Sequence, residues 1–464
     1  MRVVLADLKG TGGLVAKDTV AGGYGSRLVP FSKVSHVVRF LKRRYINLPS
    51  VQMAYLAAIC DAAGHEVVFT RNRLLDGDVA LGLSSLVDHR HETAWADRMR
   101  ARGVRVGFVG LTASKMPQLF ADHADFVVRG EPEEAVTRLA GGETLKGICD
   151  SAPIMDLDSL PFPRWDLLRV SQQGGFHFFV RPVGGGFPLL SSRGCPEFCT
   201  YCPHRILAGY RARSVKNIVD EIEALCHAYR RPYLIFRDPL FTQSRDRVLA
   251  FCDEILARHL RVRFDIETRL DRLDRDLLDR AYVAGLRAIS YGVESVSPET
   301  LKRVGRRPIP EAHHRDVIEH CRRLGIVTAA FYVIGFPTDD WQSVAATIDF
   351  AIEMDSAFAQ FKLLTPYPGT PLFKQLGARI YETDWQKFDG FTPTFSHPNL
   401  TAEELRFLLG AAYTRFFMRP SYLLANVLKI QNTRVRNWAK RMDQKAAAFC
   451  SRAETEKMSR SVTC

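Results

Sequence analysis

The sequence predicts an α/β protein made of two successive strand-and-helix units and a helical C-terminal region. Three observations carry that prediction. Short apolar runs alternate with helical patterns over residues 1–150, a proline-rich segment interrupts the pattern, and a second alternation of six runs follows over residues 186–375. Alternation of this kind argues parallel sheets with helical crossovers.

In the first unit the runs VVLA, EVVFT, VALGLSS, VRVGFVG and DFVVRG read as strands, with MAYLAAICDAAG, ETAWADRMRARG and EPEEAVTRLAGG as helices. Together they predict a doubly wound parallel sheet, which binds ligands beyond the carboxyl ends of its strands. Residues 151–185, with Pro153, Pro161 and Pro163, read as a linker. In the second unit LLSSR, YLIFR, RFDIET, AISYGVES, TAAFYVIGFP and AQFKLLTPY read as strands of a partial (β/α)6 barrel. Chemistry in such barrels sits in the loops after the strands. Residues 376–464 read as helical with a basic tail: from Ala411 onward eleven Lys and Arg face three Asp and Glu, which accounts for much of the net charge of +13. Such a tail suits peripheral contact with an anionic membrane surface, or a solvated helical face.

Apolar content of 46% with 25% charged residues indicates a globular chain, and no run reaches the ~18 apolar residues of a spanning helix. Asp7 and Lys9 interrupt the first apolar run, which excludes a signal-peptide core there. A cytoplasmic location, peripheral to the inner membrane face if the tail binds lipid, is the expectation, and seven scattered cysteines are expected to stay reduced.

The chemistry concentrates in RGCPEFCTYCPH. Cys195, Cys199 and Cys202 form CxxxCxxC, which chance would place in a chain with ten cysteines at a probability of about 0.005. Three thiolates on one loop can ligate three irons of a [4Fe-4S] cluster and leave the fourth open to an outside ligand. A zinc knuckle with His204 as fourth ligand is the alternative. The ends of the following strands are polar: FRDPLF offers Arg237 and Asp238, ETR offers Glu267 and Arg269, and YGVES offers Tyr291, Glu294 and Ser295. Charged groups at the ends of buried strands are costly unless paired or used.

With Tyr201 before the last cysteine, this spacing resembles that of the radical S-adenosylmethionine (radical SAM) enzymes. The ordered set CxxxCxxC, FRDPLF, ETRLDRLDRDLLDRAYVAG, GVES, IGFP and TPYPGT, followed by LTAEELRFLLGAAYTRFFMRP, resembles the cobalamin-binding-domain (class B) branch. The resemblance implies a Rossmann-like cobalamin-binding-type domain at 1–150 and a radical SAM barrel at 186–375. It implies three cofactors: a [4Fe-4S] cluster on the three cysteines, SAM and cobalamin. Glu294 and Arg306, in LKRVGRR, match positions that contact SAM; Glu267, Arg269, Ser295 and Gly335 join them as cofactor-binding candidates. No DxHxxG string occurs, so cobalamin is expected to lie against backbone and small residues, with Ser84, Ser85 and Gly110 as candidates. Tyr201, Asp238 and Tyr291 are the catalytic candidates, with His204, Arg237 and Tyr367 expected nearby.

The activity implied is methylation of an unactivated carbon of a specialised metabolite, lipid or tetrapyrrole through a 5'-deoxyadenosyl radical. An oxidative cyclase or rearrangement enzyme without methyl transfer is the second reading, and a non-enzymatic protein with a structural metal the third. Expected partners are a small-molecule substrate and an electron donor such as flavodoxin or ferredoxin; nucleic acid is not expected, because no RNA-binding module is evident.

Overall fold

The central strands of the first unit are short, apolar and buried on both faces, as parallel strands covered by helices must be. The computed structural model describes residues 1–10, 14–18, 22–28, 36, 48–168, 186–424, 438–439 and 442–443. In the first unit the strands are β1 (Arg2–Ala6), β2 (Leu14–Asp18), β3 (Gly22–Leu28), β4 (Glu66–Thr70), β5 (Val79–Leu83), β6 (Arg105–Val109), β7 (Phe126–Gly130) and β8 (Gly147–Ser151). Six of them form one parallel sheet in the order β4-β1-β5-β6-β7-β8. Alternate β1 residues serve opposite layers. Val3 and Leu5 pack with the helices Val51–Ala62 and Pro132–Ala140, while Val4 and Ala6 pack with Trp95 and Met99 of the helix His89–Arg100. The strand order reverses between β1 and β5, which opens a crevice at their carboxyl ends. β2 and β3, which the apolar pattern does not predict, pair as an antiparallel hairpin, and β8 adds an edge strand made of the polar run GICDS.

β9 (Gly186–Leu189), β12 (Tyr233–Phe236), β13 (Arg263–Thr268), β14 (Leu286–Glu294), β15 (Val327–Ile334) and β16 (Phe358–Leu363) form the second sheet, parallel throughout and in chain order. Five helices of ten to fourteen residues lie between its strands, four of them started by a side-chain cap from Ser214, Ser244, Asp274 or Asp340. Each such cap satisfies an amide that the first helical turn leaves open. The run LLSSR is not one strand: β9 ends at Leu189, and Ser192–Arg193 (β10) pairs antiparallel with Arg211–Ala212 (β11). That ribbon is the neck of the cysteine loop.

One apolar core runs through both sheets, with the helix Val51–Ala62 and Trp165 between them. Trp165 meets the β9 residue Phe187 at 6.2 Å between ring centroids, edge to face. Segment 377–401 carries no α-helix, contrary to the helical expectation; short turns join instead to the helix Ala402–Phe417, whose Tyr413 hydroxyl donates to the β16 carbonyl of Phe361 at 3.0 Å. Most of the basic tail and residues 169–185 of the linker lie outside the described residues.

Candidate functional site

Gly194 opens the cysteine loop at φ +73°, where an added Cβ would lie 2.5 Å from the Gly209 carbonyl oxygen. The loop is then pinned from two sides: Thr200 N–H donates to Val304 O (2.9 Å) and Thr200 O accepts from Leu372 N–H (3.1 Å). Cys195, Cys199 and Cys202 are free thiols. Burial pushes the Cys202 thiol up to about 12 and the Cys195 thiol above its ordinary value, with each further raised by its neighbouring cysteines. Left alone, Cys195 and Cys202 hold their protons; a bound metal takes their place. Three thiols on one wall, beside a cation, fit an iron–sulfur cluster.

The cation is Arg306. Its guanidinium lies 3.9 Å from Cys199 Sγ and 3.8 Å from Glu294 Oε1, and it donates to Gly292 O. Glu294 closes β14 at φ +68°, beside a register shift in the pairing with β15. Such backbone is costly for a non-glycine residue and points to use. Burial pushes the Glu294 carboxyl up, against the pull of Arg306, Arg269 and Lys362, and the Tyr201 hydroxyl donates to it. Arg269 forks onto Asp271 (3.0 and 2.9 Å) and donates to Arg307 O (2.9 Å). Its remaining Nη1 is buried without a hydrogen-bond acceptor, the nearest carboxylate being Glu197 at 3.9 Å. An orphaned guanidinium nitrogen beside a carboxylate fits a zwitterionic amino acid, the carboxylate end to Arg269 and the ammonium end to Glu294. SAM has that end group.

These groups share a cavity of about 520 Å³ at the carboxyl ends of β12 to β16. Cys195, Cys199, Cys202, Tyr201, His204, Arg237, Glu267, Arg269, Tyr291, Glu294, Arg306 and Tyr367 all line it. Arg237 and Glu267 pair with each other across neighbouring strand ends. Tyr291 is on the wall, but its hydroxyl is bonded to Ser356 Oγ at 2.7 Å.

Asp238 is not on the wall. It is fully buried and accepts from Ser191 N–H, Ser191 Oγ and Ser192 Oγ at 2.6 to 3.0 Å, so it anchors the start of the loop instead of acting as a catalyst. Ser295 and Gly335 also lie off it: the Ser295 hydroxyl caps Ser297 N–H, and Gly335 turns the chain at φ +89° with its N–H on Asp339. Ser84, Ser85 and Gly110 are likewise spent internally. The Ser84 hydroxyl donates to Val109 O and accepts from Ala113 N–H, Ser85 donates twice to Glu92, and Gly110 precedes a short helix.

The first unit reaches the cavity through Lys9 and the β2–β3 hairpin, which contributes Ala16, Lys17, Gly23, Tyr24, Gly25 and Ser26. The Tyr24 ring stacks on Tyr367 at 5.2 Å and its hydroxyl donates to Pro368 O at 2.5 Å. The hairpin thus sets small residues (Ala16, Gly23, Gly25, Ser26) beside Tyr24 and Lys17 on the cavity, a wall compatible with a broad planar ligand, whereas Ser84, Ser85 and Gly110 do not line it.

Residues 189–351 match the Radical SAM superfamily. An uncharacterized methyltransferase of Pyrococcus horikoshii is 29% identical over 329 residues, which are 66% of this chain and 70% of that protein. An anaerobic magnesium-protoporphyrin IX monomethyl ester cyclase of Cereibacter sphaeroides is 28% identical over 322 residues, 64% of this chain and about half, 52%, of the cyclase. The radical S-adenosylmethionine methyltransferase TsrM of Kitasatospora setae, solved with cobalamin and a [4Fe-4S] cluster bound, shares the fold at a TM-score of 0.62 and 15% identity. That match covers 96% of this chain and 99% of that one.

Proposed function

We propose that this chain, a radical SAM protein of the cobalamin-binding type, methylates an unactivated carbon of a small molecule. The observation that carries the reading is convergence: the three thiols, the Glu294, Arg269 and Arg306 constellation, and the hairpin of the first unit face one cavity. When bound, the cluster supplies the electron that cleaves SAM to a 5'-deoxyadenosyl radical, and cobalamin supplies the methyl group.

Cys195, Cys199 and Cys202 would hold the cluster, with Arg306 balancing its charge at Cys199. Glu294 and Arg269 would orient the amino acid end of SAM. The hairpin would hold cobalamin against the second sheet, which we infer to be the partial barrel, with the domain divisions near residues 150, 185 and 375. Tyr24, Tyr367 and the aromatic floor of Phe331, Tyr332 and Phe358 would exclude water from the reacting carbon. Of the three catalytic candidates, Tyr201 stands nearest the proposed chemistry through its bond to Glu294. An electron donor such as flavodoxin or ferredoxin would reach the cluster at the outer side of the loop, where Phe198 is 68% exposed. Among the described residues no helix is long and apolar enough to cross a membrane; a cytoplasmic location with peripheral membrane contact through the tail is part of the proposal.

Anaerobic reconstitution with iron, sulfide, cobalamin and SAM tests the reading. Reduction should yield 5'-deoxyadenosine and S-adenosylhomocysteine together, and the triple Cys→Ala variant should yield neither. The similarity to the cyclase favours a second reading, oxidative ring closure. Deoxyadenosine without S-adenosylhomocysteine would select it.

A further inference from the structure

Around the neck of the cysteine loop lies a group of buried charges that belongs to both units. β10 and β11 place Arg193 directly opposite Arg211 in an antiparallel ribbon. Both guanidinium groups are about nine-tenths buried, and like charges directly opposite each other push a ribbon apart.

The first unit supplies the counter-charge. Glu131, at the start of the helix Pro132–Ala140, takes Arg193 Nη1 on Oε2 at 3.2 Å and Arg211 Nη1 on the same oxygen at 3.2 Å, while its Oε1 takes Arg211 Nη2. Glu133 takes the other Arg193 nitrogen at 2.7 Å, and the Arg193 guanidinium lies over the Tyr55 ring at 5.3 Å. Glu131 is itself fixed, since the Ser151 hydroxyl donates to its carbonyl. The two carboxylates are 4% and 1% exposed.

Buried ion pairs of this kind add little net stability compared with apolar packing, and their best-attested use is to fix a register. Here the register fixed is that of the strands from which residues 194–210 emerge, three of which are the thiols. We propose that Glu131, assisted by Glu133, is a positioning residue for the cysteine loop: the first unit clamps the loop's neck and thereby sets the spread of the three thiols. The proposal rests on the reading that those thiols hold an iron–sulfur cluster.

The test uses the full-length chain with its reconstituted cluster, comparing wild type, Glu131→Gln and Glu131→Gln/Arg211→Met. Iron release to a chelator and the paramagnetic spectrum of the reduced cluster, with and without SAM, are the readouts. With one partner of the buried set neutralised, Glu131→Gln should release iron about tenfold faster and broaden the spectrum. The double variant, which also removes one opposed cation, should return iron release to within about threefold of wild type. A Glu131→Gln protein with wild-type release and spectrum would overturn the clamp. So would a double variant that folds as wild type and still loses iron at the fast rate. Where Glu131→Gln does not fold, the double variant alone decides by the same criterion. Wild type that binds no iron would overturn the cluster reading instead, so the two failures are separable.

Discussion

Replacing Gly292 by Ala should separate SAM binding from stability. A Cβ on Gly292 would lie 2.2 Å from Glu294 Oε1, 3.2 Å from Glu294 Cδ and 3.0 Å from Arg306 Nη2. Gly292 is absent from the positive-φ residues, so alanine can adopt its backbone, and a less flexible unfolded chain returns about 0.4–1 kcal/mol. Against that gain stands an overpacking cost of roughly 1–3 kcal/mol. The atoms in the way are the tips of two side chains, which can swing aside, so the net loss should sit near the low end, about 1 kcal/mol, or a few degrees in Tm.

The swing has a larger consequence at the site. It moves the carboxylate and the guanidinium together, and each charge-assisted hydrogen bond to SAM that is lost is worth about 1.5–3 kcal/mol, tenfold or more in Kd. Equilibrium binding of SAM to the cluster-loaded variant, read beside its thermal melting, measures both quantities. A Gly292→Ala protein that binds SAM within twofold of wild type would refute the assignment of Glu294 to SAM.

Two buried groups should give opposite pH dependence in one window. Burial raises Asp339 to about 6 despite its bonds from Gly335 and Phe336 N–H, so the folded state holds its proton longer than the unfolded state, and stability falls by about 3 kcal/mol as pH rises from about 4 to 6. Burial lowers His314 to about 4, so the unfolded state takes up the proton first, and stability falls by about 3 kcal/mol as pH drops from 6.5 to 4. Denaturant titrations should therefore show Asp339→Asn steepening acid destabilisation and His314→Gln flattening it; parallel curves would contradict both assignments. Phe198→Ala should slow cluster reduction by flavodoxin or ferredoxin and leave reduction by dithionite unchanged. Equal slowing with both reductants would place the residue inside the loop's structure, not on a docking face.

The strand alternation was readable because parallel strands covered on both faces are continuously apolar, and the cysteine spacing because its ligands are local in sequence. Arg237 and Asp238 show where that reading stops. Both directly follow β12 and both are polar, yet they turn to different sides: Arg237 lines the cavity and Asp238 turns to Ser191 and Ser192. The hairpin carried little signal, because its short strands LVAKD and GGYGSRL lack a continuous apolar run. Glu131, 62 residues from Arg193 and 80 from Arg211, had no periodic signature at all. Ser84 and Ser85 follow the carboxyl end of β5, but their hydroxyls are bonded to Val109 O at the end of β6 and to Glu92 of the helix His89–Arg100.

The hairpin crosses the crevice where a doubly wound sheet ordinarily takes its ligand, and its hold on that place is electrostatic. Lys17 lies 2.8 Å from Glu92 Oε1 and 3.9 Å from Asp7 Oδ1, donates to Leu83 O at 2.7 Å, and is as buried as its partners. Removing the cation leaves the buried Glu92 with only its Ser85 donors and Asp7 with Lys9 at 3.8 Å, a loss of about 3–5 kcal/mol. Burial already pushes the Glu92 carboxyl up and Lys17 is the main force holding it down, so in Lys17→Met it should rise further. An acid raised in the folded state favours folding at low pH and opposes it as pH rises. Lys17→Met should therefore be least stable near neutrality, regain stability on mild acidification, and be rescued at pH 7 by adding Glu92→Gln. A Lys17→Met chain as stable as wild type at pH 7 would mean that the hairpin is held by its tyrosine stack and backbone bonds alone.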